Sequence, residues 1–134
     1  MIFVDTSAWY ALEVEDDVNH EAAYKFLSTL ASGKHGIFVT TDYILDETLT
    51  LLRSRRTLSA ASAFIDKIKK SKSVRVFWVE DDLFEKALDM FKRSDRKSWS
   101  FTDCTSFALM KDLLIPNAFT FDGNFREAGL QILP

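Results

Sequence analysis

Four acidic residues stand out by their position: Asp5, Glu47, Asp103 and Asp122. Asp5 ends an apolar run, residues 2–5 (IFVD), and Asp122 follows another, residues 118–121 (AFTF). Asp103 opens a helical pattern shortly before that second run, in SWSFTDCTSFALMKDL. Glu47 flanks an apolar arc with helical spacing, its neighbours three and four positions away including Tyr43, Ile44 and Leu51, and reads as a half-buried carboxylate, costly unless paired or bound to metal. Asp46 points further from that arc and reads as a surface charge. Should the four acids converge, their mutual repulsion would raise each pKa and favour protonation. A divalent cation removes that penalty. Oxygen-only donors without His or Cys suit a hard ion such as Mg²⁺ or Mn²⁺, with one or two carboxylates in direct contact and the others holding its waters. Two such ions about 3.5–4 Å apart would clamp the attacking and leaving oxygens of a phosphodiester.

Each acid also has a purely structural reading. Asp5 before Thr6 and Ser7 is a good helix N-cap. Asp103, three residues after Ser100, fits a capping box with Asp in place of Glu. Asp122-Gly123-Asn124 is turn chemistry. Residue types and spacing leave both readings open.

The elements that must position these groups follow from periodicity. Short apolar runs recur at residues 2–5, 37–40, 74–79, 118–121 and 130–133. The first, second and fourth are apolar on both faces, the pattern of buried parallel strands. Helical stripes lie between them: Ala23, Phe26, Leu27 and Leu30; Ile44, Leu45, Thr48, Leu49, Leu51 and Leu52; Ala61, Phe64, Ile65 and Ile68; Phe84, Ala87, Leu88 and Phe91; and Phe107, Met110 and Leu114. Alternating strands and helices predict an α/β sandwich with a mainly parallel sheet, in one domain over residues 1–134. In such sheets ligands bind beyond the carboxyl ends of the strands, where Asp5 and Asp122 fall.

Composition narrows the function classes. The 134 residues are 47% apolar and 28% charged, with 4 Gly and 2 Pro, an ordinary globular balance without linker or repeat. The net charge is −3 and the pI near 5.4, so bulk charge does not hold nucleic acid. Any phosphate binding needs local cations or bound metal. The single cysteine, Cys104, makes no intrachain disulfide and reads as core. The N-terminus is a poor signal peptide and no run is long enough to span a bilayer, so a cytoplasmic location is expected. His20 and His35 lie outside the acidic segments and read as surface or loop residues. Basic clusters at residues 53–56 (RSRR), 67–75 (KIKKSKSVR) and 92–97 (KRSDRK) fit the last turns of helices. KRSDRK is the one best placed to guide RNA, because it leads into the Asp103 segment. Trp9, Tyr10, Trp78 and Trp99 read as core or interface.

Three stretches carry a family resemblance: FVDTSAWYAL over residues 3–12, TDYILDETLTLLRSR over 41–55, and SFTDCTSFALMKDLLIPNAFTFDGNF over 100–125. Together they resemble the PIN domain, and more narrowly the VapC-type toxins of toxin–antitoxin pairs. The resemblance implies a PIN-like fold, an α/β three-layer sandwich with a mainly parallel five-stranded sheet and helices on both faces, and a metal-dependent endoribonuclease that leaves 5′-phosphate and 3′-hydroxyl ends. It also implies an acidic site of Asp5, Glu47, Asp103 and Asp122 supported by Thr6, Ser7 and Thr102, with a water activated by the metal as nucleophile and Asp5 or Asp103 orienting it. The implied partners are RNA, a cognate antitoxin and a second copy of the chain. Relatives often carry His two residues after the last acid. Here Asn124 stands there, able to bond a phosphate or water but not to act as a general acid. Two other readings remain at this point: a phosphatase-type protein using Asp5 as nucleophile, and a PIN-like module that binds without catalysis.

Overall fold

A computed structural model describes residues 1–31 and 36–134, so the expectation for His35 lies outside the described residues. The described chain runs β1 (Ile2–Val4), α1 (Thr6–Glu13), α2 (His20–Ala31), β2 (Phe38–Thr41), α3 (Asp42–Arg55), α4 (Leu58–Lys70), β3 (Val74–Phe77), α5 (Asp81–Arg93), α6 (Phe101–Asp112), β4 (Asn117–Phe119), α7 (Asn124–Glu127) and β5 (Gln131–Leu133). The five strands form one parallel sheet in the order β3-β2-β1-β4-β5. The expected strands are therefore present, with ends shifted by one or two residues.

β1 is central, and its residue types explain why. Successive strand side chains face opposite sides of a sheet, yet Ile2, Phe3 and Val4 are all buried. Both faces are therefore covered by helices, giving the three-layer α/β arrangement. From β1 the chain steps outward through β2 to β3, then returns to pair β4 on the other side of β1. The order reverses between β1 and β4, and their carboxyl ends open a crevice at that switch point.

Most helical stripes face the core as expected: Ala23; Ile44, Leu45, Thr48 and Leu52; Ala61, Phe64 and Ile68; Phe107 and Met110. On α5 the phase is one residue off. Leu83 and Ala87 are buried, while Phe84 and Phe91 are 36% and 45% exposed and pack edge-on against Phe101. Leu114 is not on the α6 stripe. It sits past the helix end with φ 55° and is 86% exposed. There the Leu114 amide donates to Lys111 and the Ile115 amide to Met110, a Schellman closure. Cys104 is fully buried, and burial, then the neighbouring Asp103 charge, raises its thiol pKa. Trp9 is core, its indole donating to Thr40 Oγ1. Trp78 is 70% exposed.

Candidate active site

Asp5 is the residue between β1 and α1, and its two roles coincide. It is the α1 N-cap, and it lies at the switch point beside β4, its amide donating to Phe119. Oδ2 accepts from Ser7 N (3.3 Å), Ser7 Oγ (2.9 Å) and Thr120 Oγ1 (2.9 Å), and the Thr6 amide also favours the ionised carboxylate. The two hydroxyls work as relays: Ser7 Oγ accepts from Phe121 N and Thr120 Oγ1 from Asp122 N. The turn that carries Asp122 is thereby pinned to the carboxylate that closes β1. Burial nonetheless dominates: it raises the Asp5 pKa from 3.8 to about 6, against the bonds from Ser7 and Thr120.

Asp103 is held as firmly. Ser100 caps α6 with a reciprocal box: Asp103 N donates to Ser100 Oγ (2.9 Å), and Ser100 N donates to Asp103 Oδ2 (3.0 Å). Asn124 Nδ2 donates to the same Oδ2 (3.2 Å) and to Ser98 O (3.0 Å). Asp103 is buried, and burial raises its pKa, opposed by Ser100 and Asn124 and reinforced by the Asp122 charge. Asp122 forms an Asx turn, Oδ1 accepting from Asn124 N (2.9 Å). The capping and turn readings of these acids are thus correct, and they coexist with the site reading.

Glu47 departs from expectation. It is exposed rather than half-buried, because it borders an open cavity instead of the apolar arc. Partial desolvation of its carboxyl still raises its pKa, opposed by the Thr6 hydroxyl and reinforced by Asp103 and Asp122. Asp46 is also exposed and lies outside that cavity, among the described residues lining an apolar groove along α3 and α4.

The four acids converge. Asp5, Glu47, Asp103 and Asp122 line one cavity of about 240 Å³ together with Thr6, Ser7, Tyr10, Asp17, Asn19, Leu51 and Arg55. Thr102 is not in this lining; its carbonyl accepts from Thr105 and Ser106. Asn124 acts through Asp103. Residue reasoning missed Thr120, whose signal was a hydroxyl inside an otherwise apolar strand run, two residues before an acid. It also missed Tyr10 and Arg55, which meet the cavity where α1 packs on α3, and Asp17 and Asn19, which reach it from the loop between α1 and α2.

Among the described residues, no three acid, His or Cys side chains cluster tightly enough to cage a bare ion. The donor set nonetheless fits a hydrated hard cation: all oxygens, spaced around room for water. Thr6 Oγ1 is buried beside Glu47 and favours that carboxylate in its ionised form.

Comparison with known proteins agrees with the geometry. The PIN domain family model matches residues 2–130. The chain is 42% identical over 129 residues to the 23S rRNA-specific endonuclease VapC20 of Mycobacterium tuberculosis, covering 96% of this chain and 95% of that protein. It is 29% identical over 123 residues to a VapC ribonuclease of Archaeoglobus fulgidus, covering 91% and 77%. The crystal structure of Mycobacterium tuberculosis VapC20, described as a sarcin–ricin loop cleaving toxin, superposes with a TM-score of 0.90 at 39% identity, covering 100% of both chains.

Proposed function

The chain belongs to the PIN-domain family, among the VapC-type toxin endoribonucleases, and from that premise we propose that its four acids form a divalent-metal site that hydrolyses an RNA phosphodiester. The convergence of Asp5, Glu47, Asp103 and Asp122 on one cavity at the β1/β4 switch point carries the reading. Asp5 and Asp103 would supply the direct carboxylate ligands and Glu47 and Asp122 would hold the ion's waters, Mg²⁺ or Mn²⁺ being the ion that this oxygen set favours. When bound, the ion supplies charge neutralisation and acidifies water at neutral pH.

The protein's own groups do the rest. Ser7 and Thr120 fix the Asp5 rotamer, and Ser100 and Asn124 fix that of Asp103. Asn124 donates a hydrogen bond and transfers no proton, so departure of the 3′-oxygen relies on solvent. A structured loop of ribosomal RNA is the substrate class supported by the VapC20 relative. A cytoplasmic setting, a cognate antitoxin and a homodimer complete the reading, the last supported by the exposed Phe84 and Phe91 rings. The aspartyl-phosphatase alternative gains no support, since the relatives that the chain matches along its length are endonucleases and ribonucleases of the PIN family.

The test is cleavage of a synthetic RNA hairpin copying the 23S rRNA sarcin–ricin loop, with Mn²⁺ and with chelator. Asp103→Asn is expected to lose at least about 100-fold, as does removal of one preorganised charge-stabilising group. Asp46→Asn is expected to stay within about twofold of wild type. Equal activity of the two variants removes Asp103 from the site; cleavage in excess chelator removes the metal.

A further inference from the structure

The acidic cavity has a second end. α1 packs against α3, and each helix contributes a ladder of residues to the cavity wall. Thr6 and Tyr10 stand four apart on α1; Glu47, Leu51 and Arg55 stand at successive four-residue steps on α3. At about 1.5 Å of rise per residue, the Arg55 backbone lies about 12 Å beyond that of Glu47. Helical side chains lean toward the N-terminus, so the guanidinium reaches back over Leu51 toward the acids. The groove is thus anionic at one end and cationic at the other.

Arg55 is the cation of this lining, and it is uncommitted. Its guanidinium carbon sits 5.9 Å from the centre of the Tyr10 ring. It makes no ion pair with any described carboxylate, although its neighbour Arg56 pairs with Asp16 at 2.8 Å. Asp17 shares the cavity, but its Oδ1 accepts from Asn19 N at 2.9 Å. A guanidinium held on an aromatic face keeps its planar N–H fork free for a phosphate, and the ring steadies it without neutralising it.

We propose that Arg55, steadied by Tyr10, is a substrate-positioning residue that binds a phosphate flanking the scissile bond, so that the RNA strand lies along the α1/α3 groove. This rests on the endoribonuclease reading above. The strand then meets the acids at one phosphate and the fork at another. The fork sets the register of cleavage without touching the reacting atoms.

Binding in a cleavage-impaired background separates the two. The sarcin–ricin hairpin is titrated against Asp103→Asn and against the doubles that add Arg55→Ala, Arg55→Gln, Arg55→Lys or Arg53→Ala, by fluorescence anisotropy across a salt series. Loss of Arg55 is expected to weaken binding about tenfold or more, the scale of one charge-assisted contact. It should also flatten the slope of log K against log[salt] by about 0.7, the value for one single-strand phosphate. Lys should restore the slope but only part of the affinity, because it lacks the fork. Arg53, exposed on the same helix but outside the cavity lining, should change neither. Equal effects of Arg53→Ala and Arg55→Ala, or an unchanged slope, overturn the proposal. Should Arg55→Ala unfold by circular dichroism, Arg55→Gln, which keeps the aliphatic stem, decides it by the same criteria. Full cleavage activity of Asp103→Asn itself would instead bring down the underlying reading, and this proposal with it.

Discussion

At the scale of single residues, the site is built by dividing the labour of each carboxylate. Asp5 gives Oδ2 to Ser7 and Thr120 while its carboxylate lines the cavity; Asp103 gives Oδ2 to Ser100 and Asn124 and does the same. An acid can therefore shape the backbone and still line the cavity, so the capping reading does not exclude the site reading. The cost lies in ionisation. Asp5 has a folded pKa of about 6 against 3.8 for the free side chain. The native state binds this proton more tightly, so the Asp5 contribution favours folding at low pH and is lost as pH rises from 3.8 to about 6. Above that window ionised Asp5 costs about 3 kcal/mol in metal-free protein. In chelator near about pH 7.5, Asp5→Asn is therefore expected to melt higher than wild type, by about 1–3 kcal/mol of stability once imperfect replacement of the hydrogen bonds is allowed for. The gap should shrink near about pH 4.5. Saturating Mn²⁺ should close the gap or reverse the order, since about 100-fold excess over Kd adds about 2.7 kcal/mol to wild type alone. A less stable variant with no pH dependence would show that desolvation does not govern Asp5. Cleavage should fall as pH drops through about 6, with a midpoint that moves lower as metal is raised, because proton and ion compete for one carboxylate.

At the scale of elements, the strands were legible because β1, β2 and β4 are apolar on both faces, a demand that only a covered parallel sheet makes. The stripes of α3, α4 and α6 were legible because their apolar residues recur at helical spacing. α5 was not, because Leu83 and Phe84 offer two apolar phases and sequence cannot say which the sheet wins. Phe84, Phe91 and Phe101 instead form their own edge-on cluster. The α6 terminus was misread because Leu114 continues the heptad-like spacing while the backbone has already turned left-handed at φ 55°. A leucine there carries about 1–2 kcal/mol of steric cost. Leu114→Gly relieves that cost but adds about 0.5–1 kcal/mol of unfolded-state entropy. The net expectation is a gain of about 0.5–1 kcal/mol, read as a higher urea midpoint at constant slope. An unchanged or lower midpoint would mean that the strain is already absorbed by the Schellman bonds.

At the scale of the whole molecule, the question raised by the charge of −3 has an answer in how the cations are spent. Arg56, Lys67, Lys86, Arg93 and Arg96 each pair with a carboxylate, Asp16, Glu13, Asp112, Asp89 and Glu127 in turn. The KRSDRK cluster, the sequence's best candidate for guiding RNA, thus has both its arginines engaged. The unpaired cation in the acidic cavity comes from RSRR, which spacing alone had assigned to a helix end. What hid it was tertiary: nothing local announces that α1 brings Tyr10 beneath Arg55. A protein so arranged should hold RNA through metal and a few local contacts rather than a basic face. For the Asp103→Asn protein at fixed Mg²⁺, one to three phosphate contacts predict a slope of log K against log[salt] between about −0.7 and −2. A slope near about −5 would require some seven neutralised phosphates. The RNA would then spread over the Lys- and Arg-bearing ends of α4 and α5, breaking their ion pairs, and the acidic groove would be only where the strand is cut, not what selects it.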